Sequence, residues 1–422
     1  MGDSPPSYTR FSMPSNQSVP AYTECALRQE RVLNSAPASP VPSNEPGCRE
    51  CAYRTDHVEV ILRHVPWGLQ FAGYGKGAFV DGTVRFIKNC GHVLKVSVKL
   101  EGQVTNTTSE NATVALPGIT KKKLFSKEVV LFESAAPSQL PLDRQFQFSI
   151  PFPATVEGET DPLPPSYTGF HPGATCEVGY ALQVDITRKG LRRHEMRSIP
   201  VLYLPKTTPL APPMLELPVP LPGPRVQDGV KLIVVPPVWA NDQQQAACPS
   251  TDLPDIYLML PAHATFASGD VIPIGLILSC PTAPAIPKLL TPNVGVFLIK
   301  RKKMWTSGGR QISIREQLVS KAEDFHLSDL QEGSRYLTIA LQGGEPGCEC
   351  SWSVNRAVAI EYFIRVIIRP PPFAKHLPVF RHDEPVYMST DQYGTLEREL
   401  LTMNGIPTPA IGLTNAHAPS RR

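Results

Sequence analysis

Apolar and polar residues alternate with a period of two along much of this chain. In Val93-Leu94-Lys95-Val96-Ser97-Val98-Lys99-Leu100, positions 94, 96, 98 and 100 are apolar while 95, 97 and 99 are polar, as in a strand with one buried face. Phe146, Phe148, Ile150 and Phe152 repeat the pattern, and so do Val178, Tyr180, Leu182, Val184 and Ile186. Asp81-Gly82, Glu101-Gly102 and Pro172-Gly173 read as turns between such runs. The alternation resumes in residues 231–235, 256–260, 271–279, 294–300 and 336–341. Val358, Ile360, Tyr362, Ile364, Val366 and Ile368 then line one face of a longer run. Only residues 396–401 suggest a helical turn. Short strands at this spacing predict an all-β chain of antiparallel β-sandwiches.

Proline sharpens the division of the chain. The 46 prolines in 422 residues are roughly twice the ~5% average usage. Eight of them fall between Pro205 and Pro224, a stretch that sustains neither a helix nor a central strand and reads as a stiff linker. Residues before 57 are rich in Ser, Pro, Asn and Gln without periodic apolar positions, the composition of a disordered arm. The expected layout is an arm at 1–56, a first sandwich at 57–205, a linker at 206–229, a second sandwich at 230–390 and a flexible tail at 391–422. The segment 231–235 fits either sandwich.

The net charge of +3 creates no strong field, so no nucleic-acid partner is expected. The apolar run from Val271 to Cys280 contains Pro273 and falls short of the ~20 residues of a membrane span. With a polar, proline-rich start and no signal peptide, a cytoplasmic protein is expected. The nine cysteines are odd in number and irregular in spacing, which reads as reduced thiols. Cys48 and Cys51 have CxxC spacing but lack a second ligand pair, and Cys348 and Cys350 are distant from them. The histidines lie in separate elements, and Gly73-Tyr74-Gly75-Lys76-Gly77 has no strand-turn-helix context. No catalytic residue, metal or cofactor is expected, and the chain reads as a non-enzyme.

One pentapeptide occurs twice: Pro5-Pro6-Ser7-Tyr8-Thr9 and Pro164-Pro165-Ser166-Tyr167-Thr168. A Pro-Pro-x-Tyr peptide docks on a WW domain when it is extended and accessible, because proline pre-sets its polyproline II backbone. The arm also carries Val19-Pro20-Ala21-Tyr22, a weaker variant, and Glu384-Pro385-Val386-Tyr387 is a third, poorer candidate. The candidate WW ligands are therefore Pro5, Pro6, Tyr8, Pro20 and Tyr22.

Several motifs in order resemble the arrestin N-domain: Ala78 to Phe86 with Asp81-Gly82, the alternating strand ending at Gly102, Phe146-Gln147-Phe148-Ser149-Ile150-Pro151, Leu163-Pro164-Pro165-Ser166-Tyr167, and Tyr180-Ala181-Leu182-Gln183-Val184. Tyr257 to Leu260, Gly269-Asp270-Val271-Ile272-Pro273 and Ile360 to Ile368 look like the arrestin C-domain. The resemblance covers roughly residues 57–390, and a PPxY motif outside the fold points to the α-arrestin branch. That branch more often carries such motifs in its C-terminal tail. The resemblance implies two immunoglobulin-like sandwiches of arrestin fold, with the second PPSYT shaping a connection between core strands.

It also implies a trafficking adaptor, peripheral at plasma membrane or endosomes, that links a membrane transporter or receptor to a HECT-type ubiquitin ligase and promotes ubiquitination and endocytosis. The alternative is a coat-type sorting subunit of the retromer kind. Three basic clusters read either as solvated loops or as contacts. Lys121, Lys122, Lys123 and Lys127 are candidate ubiquitin acceptors by the resemblance. Arg192, Arg193, Lys300, Arg301, Lys302 and Lys303 are candidate contacts with cargo or an anionic lipid surface, at about 1 kcal/mol per basic residue near such a surface.

Overall fold

The alternating runs become strands, and the strands form four sheets. The computed structural model describes residues 48–66, 69–108, 118–190, 195–220, 228–241, 253–306, 309–403 and 405–415. The first ten strands are β1 (Cys48–Arg54), β2 (Val58–Pro66), β3 (Ala72–Tyr74), β4 (Phe79–Phe86), β5 (Cys90–Thr108), β6 (Gly118–Leu140), β7 (Gln145–Pro151), β8 (Tyr167–His171), β9 (Ala174–Arg188) and β10 (Glu195–Tyr203). They build a four-stranded sheet, β1-β2-β4-β7, and a six-stranded sheet, β3-β10-β9-β5-β6 with β8 on β9.

The second set is β11 (Val230–Val234), β12 (Pro237–Val238), β13 (Asp255–Pro261), β14 (Thr265–Ala267), β15 (Val271–Ser279), β16 (Val294–Thr306), β17 (Gln311–Lys321), β18 (Phe325–Gln331), β19 (Ser334–Gln342), β20 (Trp352–Val354), β21 (Val358–Ile368) and β22 (Val379–Ser389). These give a five-stranded sheet, β11-β13-β15-β19-β18, and a seven-stranded sheet, β12-β22-β21-β16-β17 with β14 on β22 and β20 on β21. Pairing is antiparallel except for two short parallel contacts, β3 with β10 and β14 with β22. The α-helices among the described residues are short: α1 (Ala285–Leu290), α2 (Thr395–Thr402) and α3 (Gly412–Asn415). The chain is all-β, and no described helix is long and apolar enough to cross a membrane.

β9 shows why the alternation matters. Val178, Tyr180, Leu182, Val184 and Ile186 are all buried, while the residues between them are half-buried or exposed. Each such side chain contributes on the order of 1.5–3 kcal/mol by leaving water. The two sheets of the first set meet through aromatic rings: Phe132 of β6 lies 6.2 Å from Phe146 of β7, and Phe152 stacks on Tyr203 at 4.8 Å.

Three expectations change. Gly82 and Gly102 lie inside β4 and β5 rather than in turns. A Cβ on Gly102 would stand 2.6 Å from the Tyr180 ring and 2.9 Å from that of Phe125, so the glycine makes room for two aromatics. Pro172-Gly173 does turn, with Gly173 at φ 75° between β8 and β9. The arm ends earlier than residue 56, because Cys48–Arg54 pairs with β2 as β1 and Arg54 bonds Glu59. The segment 391–415 packs rather than trailing: Ala410 donates to the Leu204 carbonyl at 2.8 Å, and Ala410 and Leu413 are buried. Residues 231–234 belong with the second set, since β11 pairs with β13.

Leu182, fully buried at the centre of β9, sets a scale for this core. Leu182→Ala is expected to lower unfolding stability by about 2–5 kcal/mol. Val130→Ala, at a position 46% exposed on β6, is expected to change it by less than about 0.5 kcal/mol. Urea unfolding of both variants checks the pair.

Candidate functional site

The second PPSYT sits where the two sets of strands meet. Pro164, Pro165, Ser166 and Tyr167 are all buried. Ser166 N–H donates to the Tyr203 carbonyl at 2.7 Å, and Tyr203 N–H donates back to Ser166 Oγ at 2.9 Å. Tyr180 donates its hydroxyl to the Pro164 carbonyl at 2.5 Å. The Tyr167 ring stands edge-on to Trp352 with centroids 5.1 Å apart, and burial pushes its phenol well above the ordinary tyrosine pKa. Prolines and tyrosine both lie inside the protein, so an aromatic groove cannot reach them. Residues 384–387 lie within β22, whose backbone pairs with β21. Pro5, Pro6, Tyr8, Pro20 and Tyr22 lie outside the described residues.

Residues that no motif marked complete this junction. Asn106, 3% exposed on β5, donates its carboxamide to the carbonyls of Trp305 and Ala357 at 2.8 and 3.0 Å. His171 Nδ1 lies 2.9 Å from Ser313 Oγ, and Arg315 donates to the Phe170 carbonyl at 3.2 Å. Thr207 and Thr390 bond reciprocally: each backbone N–H donates to the other's hydroxyl oxygen, at 2.8 and 3.0 Å. Lys206 pairs with Glu399 of α2 at 2.5 Å. Each contact joins residues more than 130 positions apart, and a single sequence carries no local signal for such partners.

The basic run at 300–303, read from the sequence as a solvated loop or a contact, lies within β16, between β17 and β21, and three of its charges are matched. Lys300 is buried and pairs with Glu349 at 2.7 Å; the Tyr362 hydroxyl donates to the same carboxylate oxygen at 2.6 Å. Arg301 pairs with Glu316 at 2.7 Å and its guanidinium lies 4.1 Å from the Phe363 ring centroid. Lys303 pairs with Glu361 at 2.8 Å. Lys302 is half-buried, and burial, reinforced by Lys300 and Arg315, pushes its amine down to about 8. Arg365 bonds both Glu316 and Asp383 and holds the two carboxyls below the usual carboxylate range. Arg192 and Arg193 lie outside the described residues.

The candidate acceptor lysines divide by face. Lys122 and Lys127 are half-buried on the edge strand β6. Lys122 pairs with Glu159 at 2.8 Å and donates to the Asn355 carbonyl at 3.1 Å, while Lys127 donates to the Pro151 carbonyl at 3.1 Å. Charged side chains engaged in this way also discourage a further strand from adding to the edge. Lys121 and Lys123 are exposed, the latter within 3.3 Å of Glu157.

A cavity of about 20 Å³, room for about one water, lies at the junction between Pro165, Tyr167, Lys300, Cys350 and Trp352. Burial pushes the Cys348 and Cys350 thiols up to about 11, which keeps them protonated and unreactive. Among the described residues no group of three His, Cys, Asp or Glu side chains is placed to hold a metal ion. Of the glycine-rich stretch 73–77, Gly73 and Tyr74 end β3 and residues 76–77 turn: Gly77 has φ 77°, and a Cβ on Gly75 would meet the Thr408 carbonyl oxygen at 2.6 Å. The described junction is thus suited to holding a surface rigid.

Asn106→Ala removes the carboxamide donor from the Trp305 and Ala357 carbonyls, of which Ala357 keeps the Trp305 N–H, and is expected to cost about 1–3 kcal/mol in urea unfolding. His171 supplies a pH dependence. Burial, with Arg315 and Lys302 adding to it, holds its imidazole below the ordinary value of 6.5. The unfolded chain therefore takes the proton first; stability is complete above the unfolded value and declines as pH falls from it towards the folded one. Unfolding midpoints measured from about pH 8 to pH 5 should fall on the acid side, with a shallower slope in His171→Gln. No protein-family model matches this chain, and no curated protein matches it.

Proposed function

We propose that this protein is an arrestin-fold adaptor of the α-arrestin kind, which recruits a HECT-type ubiquitin ligase to membrane cargo. The observation that carries this reading is the fate of the repeated pentapeptide. Its second copy is consumed by the junction, where Ser166 and Tyr203 close a reciprocal bond and Tyr167 packs on Trp352. The first copy and the motif at 19–22 fall within residues 1–46, a unit separate from that formed by 47–422. In the same reading the four sheets are two immunoglobulin-like sandwiches, supported by the ordered motifs and by the division of the strands into two sets.

The mechanism is proximity. Ten residues, 9 to 18, separate the two tyrosine motifs, and a flexible chain of that length spans on the order of 18 Å. Neighbouring WW domains then bind together, the second at an effective concentration in the millimolar range. The strands supply a rigid surface for a transporter or receptor at the cytoplasmic face of a membrane. Ligase bound to the arm acts on cargo lysines nearby, and on Lys121 and Lys123, which are exposed on β6. No bond is made or broken by this chain itself.

The test is titration of a purified pair of tandem WW domains from a HECT ligase against the full chain. Tyr8→Ala with Tyr22→Ala is expected to weaken binding at least about a hundredfold, since it removes both aromatic anchors. Tyr167→Ala is expected to leave the affinity unchanged while lowering stability by about 3–5 kcal/mol. Absence of wild-type binding at micromolar concentrations overturns the ligase reading in favour of a coat-type sorting subunit.

A further inference from the structure

The seven-stranded sheet ends on β17, and among the described residues this edge is bare. Ile299 to Thr306 of β16 pair without a break with Leu318 to Gln311 of β17. No described strand pairs with the other side of β17. In an antiparallel ladder alternate residues turn both N–H and C=O away from their partner. Every second residue of this regular run therefore offers a donor and an acceptor away from the sheet.

Folded proteins ordinarily blunt such an edge with a proline, a lysine, a bulge or a covering segment. Residues 311–318 contain neither proline nor lysine, and the register shifts only beyond Leu318. β6, the long edge of the first set, carries Lys121, Lys122, Lys123 and Lys127 instead. The two charges of β17 within this run are drawn back over the sheet: Glu316 bonds Arg301 and Arg365, and Arg315 donates to the Phe170 carbonyl at 3.2 Å.

The two faces of the run differ. Ile312, Ile314 and Leu318 lie on one face, each more than half exposed. The other face carries Ser313, Arg315 and Gln317, and Arg315 stands directly across from Lys302 of β16. Like charges in that position destabilise a sheet. Among the described residues neither cation has a carboxylate partner. Glu349, whose charge favours that of Lys302, is taken by Lys300 and the Tyr362 hydroxyl. One face of the edge is apolar, and the other is short of negative charge.

We propose that β17 is a docking edge for an extended acidic segment of a partner protein, which adds as a further strand beside residues 311–318. Backbone bonds to the edge supply affinity, and alternate side chains supply selectivity. Apolar residues of the segment pack on Ile312, Ile314 and Leu318. The Asp or Glu residues between them face Arg315, with Lys302 one strand behind. A second copy of this chain fits less well, because two antiparallel β17 strands would bring both surpluses of positive charge onto one face. The site is independent of the arm motifs and of the adaptor reading.

The experiment pans the full chain against a displayed library of peptides in which valine alternates with a varied residue. Selected peptides are expected to carry Asp or Glu at the varied positions and to bind with Kd below about 100 µM. Ile314→Lys or Leu318→Lys, both at exposed positions, supplies the guard that the edge lacks and should weaken binding about tenfold or more. Arg315→Glu should turn the selection towards Lys and Arg. Amide hydrogen exchange in residues 311–318 should slow when peptide binds. The proposal is overturned by a library without binders, by selection without acidic preference, or by binding that leaves this exchange unchanged. Binding indifferent to the lysine variants, in chains whose unfolding midpoints match the parent, also overturns it, as does a dimer held through β17 that excludes the peptide.

Discussion

The carboxamide of Asn106 is the contact on which the junction of the molecule turns. Asn106 stands near the end of β5, paired on one side with β9 and on the other with β6, so its position is fixed before it meets anything distant. The carbonyls it reaches belong to Trp305 and Ala357, which are themselves joined by a Trp305 N–H to Ala357 bond of 2.9 Å. Between Val354 and Ala357 the chain turns through Arg356 at φ 54°, a left-handed conformation that costs a non-glycine residue about 1 kcal/mol or more. Two backbone acceptors and one rigidly held donor define a distance and an angle together. The Thr207–Thr390 pair and the Tyr167–Trp352 contact fix further points of the same junction.

The charges follow the same logic. A run of four basic residues in a central strand would be untenable without partners, because burial penalises an unpaired charge heavily. The register of β16 brings Glu316 from β17 and Glu361 from β21 alongside, while Asp383 of β22 and Glu349 complete the set. The Lys300–Glu349 pair also holds the hydroxyl of Tyr362, which in turn accepts from Cys350 N–H at 3.2 Å. Removing one partner of such a buried pair costs far more than the pair gains over an apolar replacement. Its role here is to fix the segment 348–350 beside the second PPSYT.

Strands whose buried residues alternate or run together were legible in the sequence, and strands wet on both faces were not. β9, β15, β19 and β21 alternate cleanly or run apolar, and residues 271–279 and 358–368 coincide with strands end to end. The edge strands β6, β17 and β18 were invisible because they are largely exposed on both faces; Ile312, Ile314 and Leu318 of β17 are all more than half exposed. Gly82 and Gly102 misled for a physical reason: a glycine inside a strand and one in a turn look alike until the neighbouring rings of Phe148 and Tyr180 are in place. The junction was legible only where a motif crossed it. The stretch 164–167 was readable as a structural connection, but Asn106, Thr207 and Thr390 act through partners on other strands.

Proline does three different jobs in this chain, and the difference lies in what surrounds it. At 164–165 the ring stiffness of two prolines shapes a buried connection whose carbonyl is claimed by Tyr180. At 385 a proline sits in β22 opposite Phe363, held by the sheet. At 205–220 the prolines have no N–H to give to a ladder, and the segment joins no strand. Met214 and Leu217 pack on the five-stranded sheet while Leu210, Leu215 and Val219 stay exposed, so the chain passes along a sheet face between the two sets of strands. The same residue type therefore stiffens a buried connection, is tolerated in a strand and keeps a surface segment out of a sheet, according to the backbone groups that its neighbours offer.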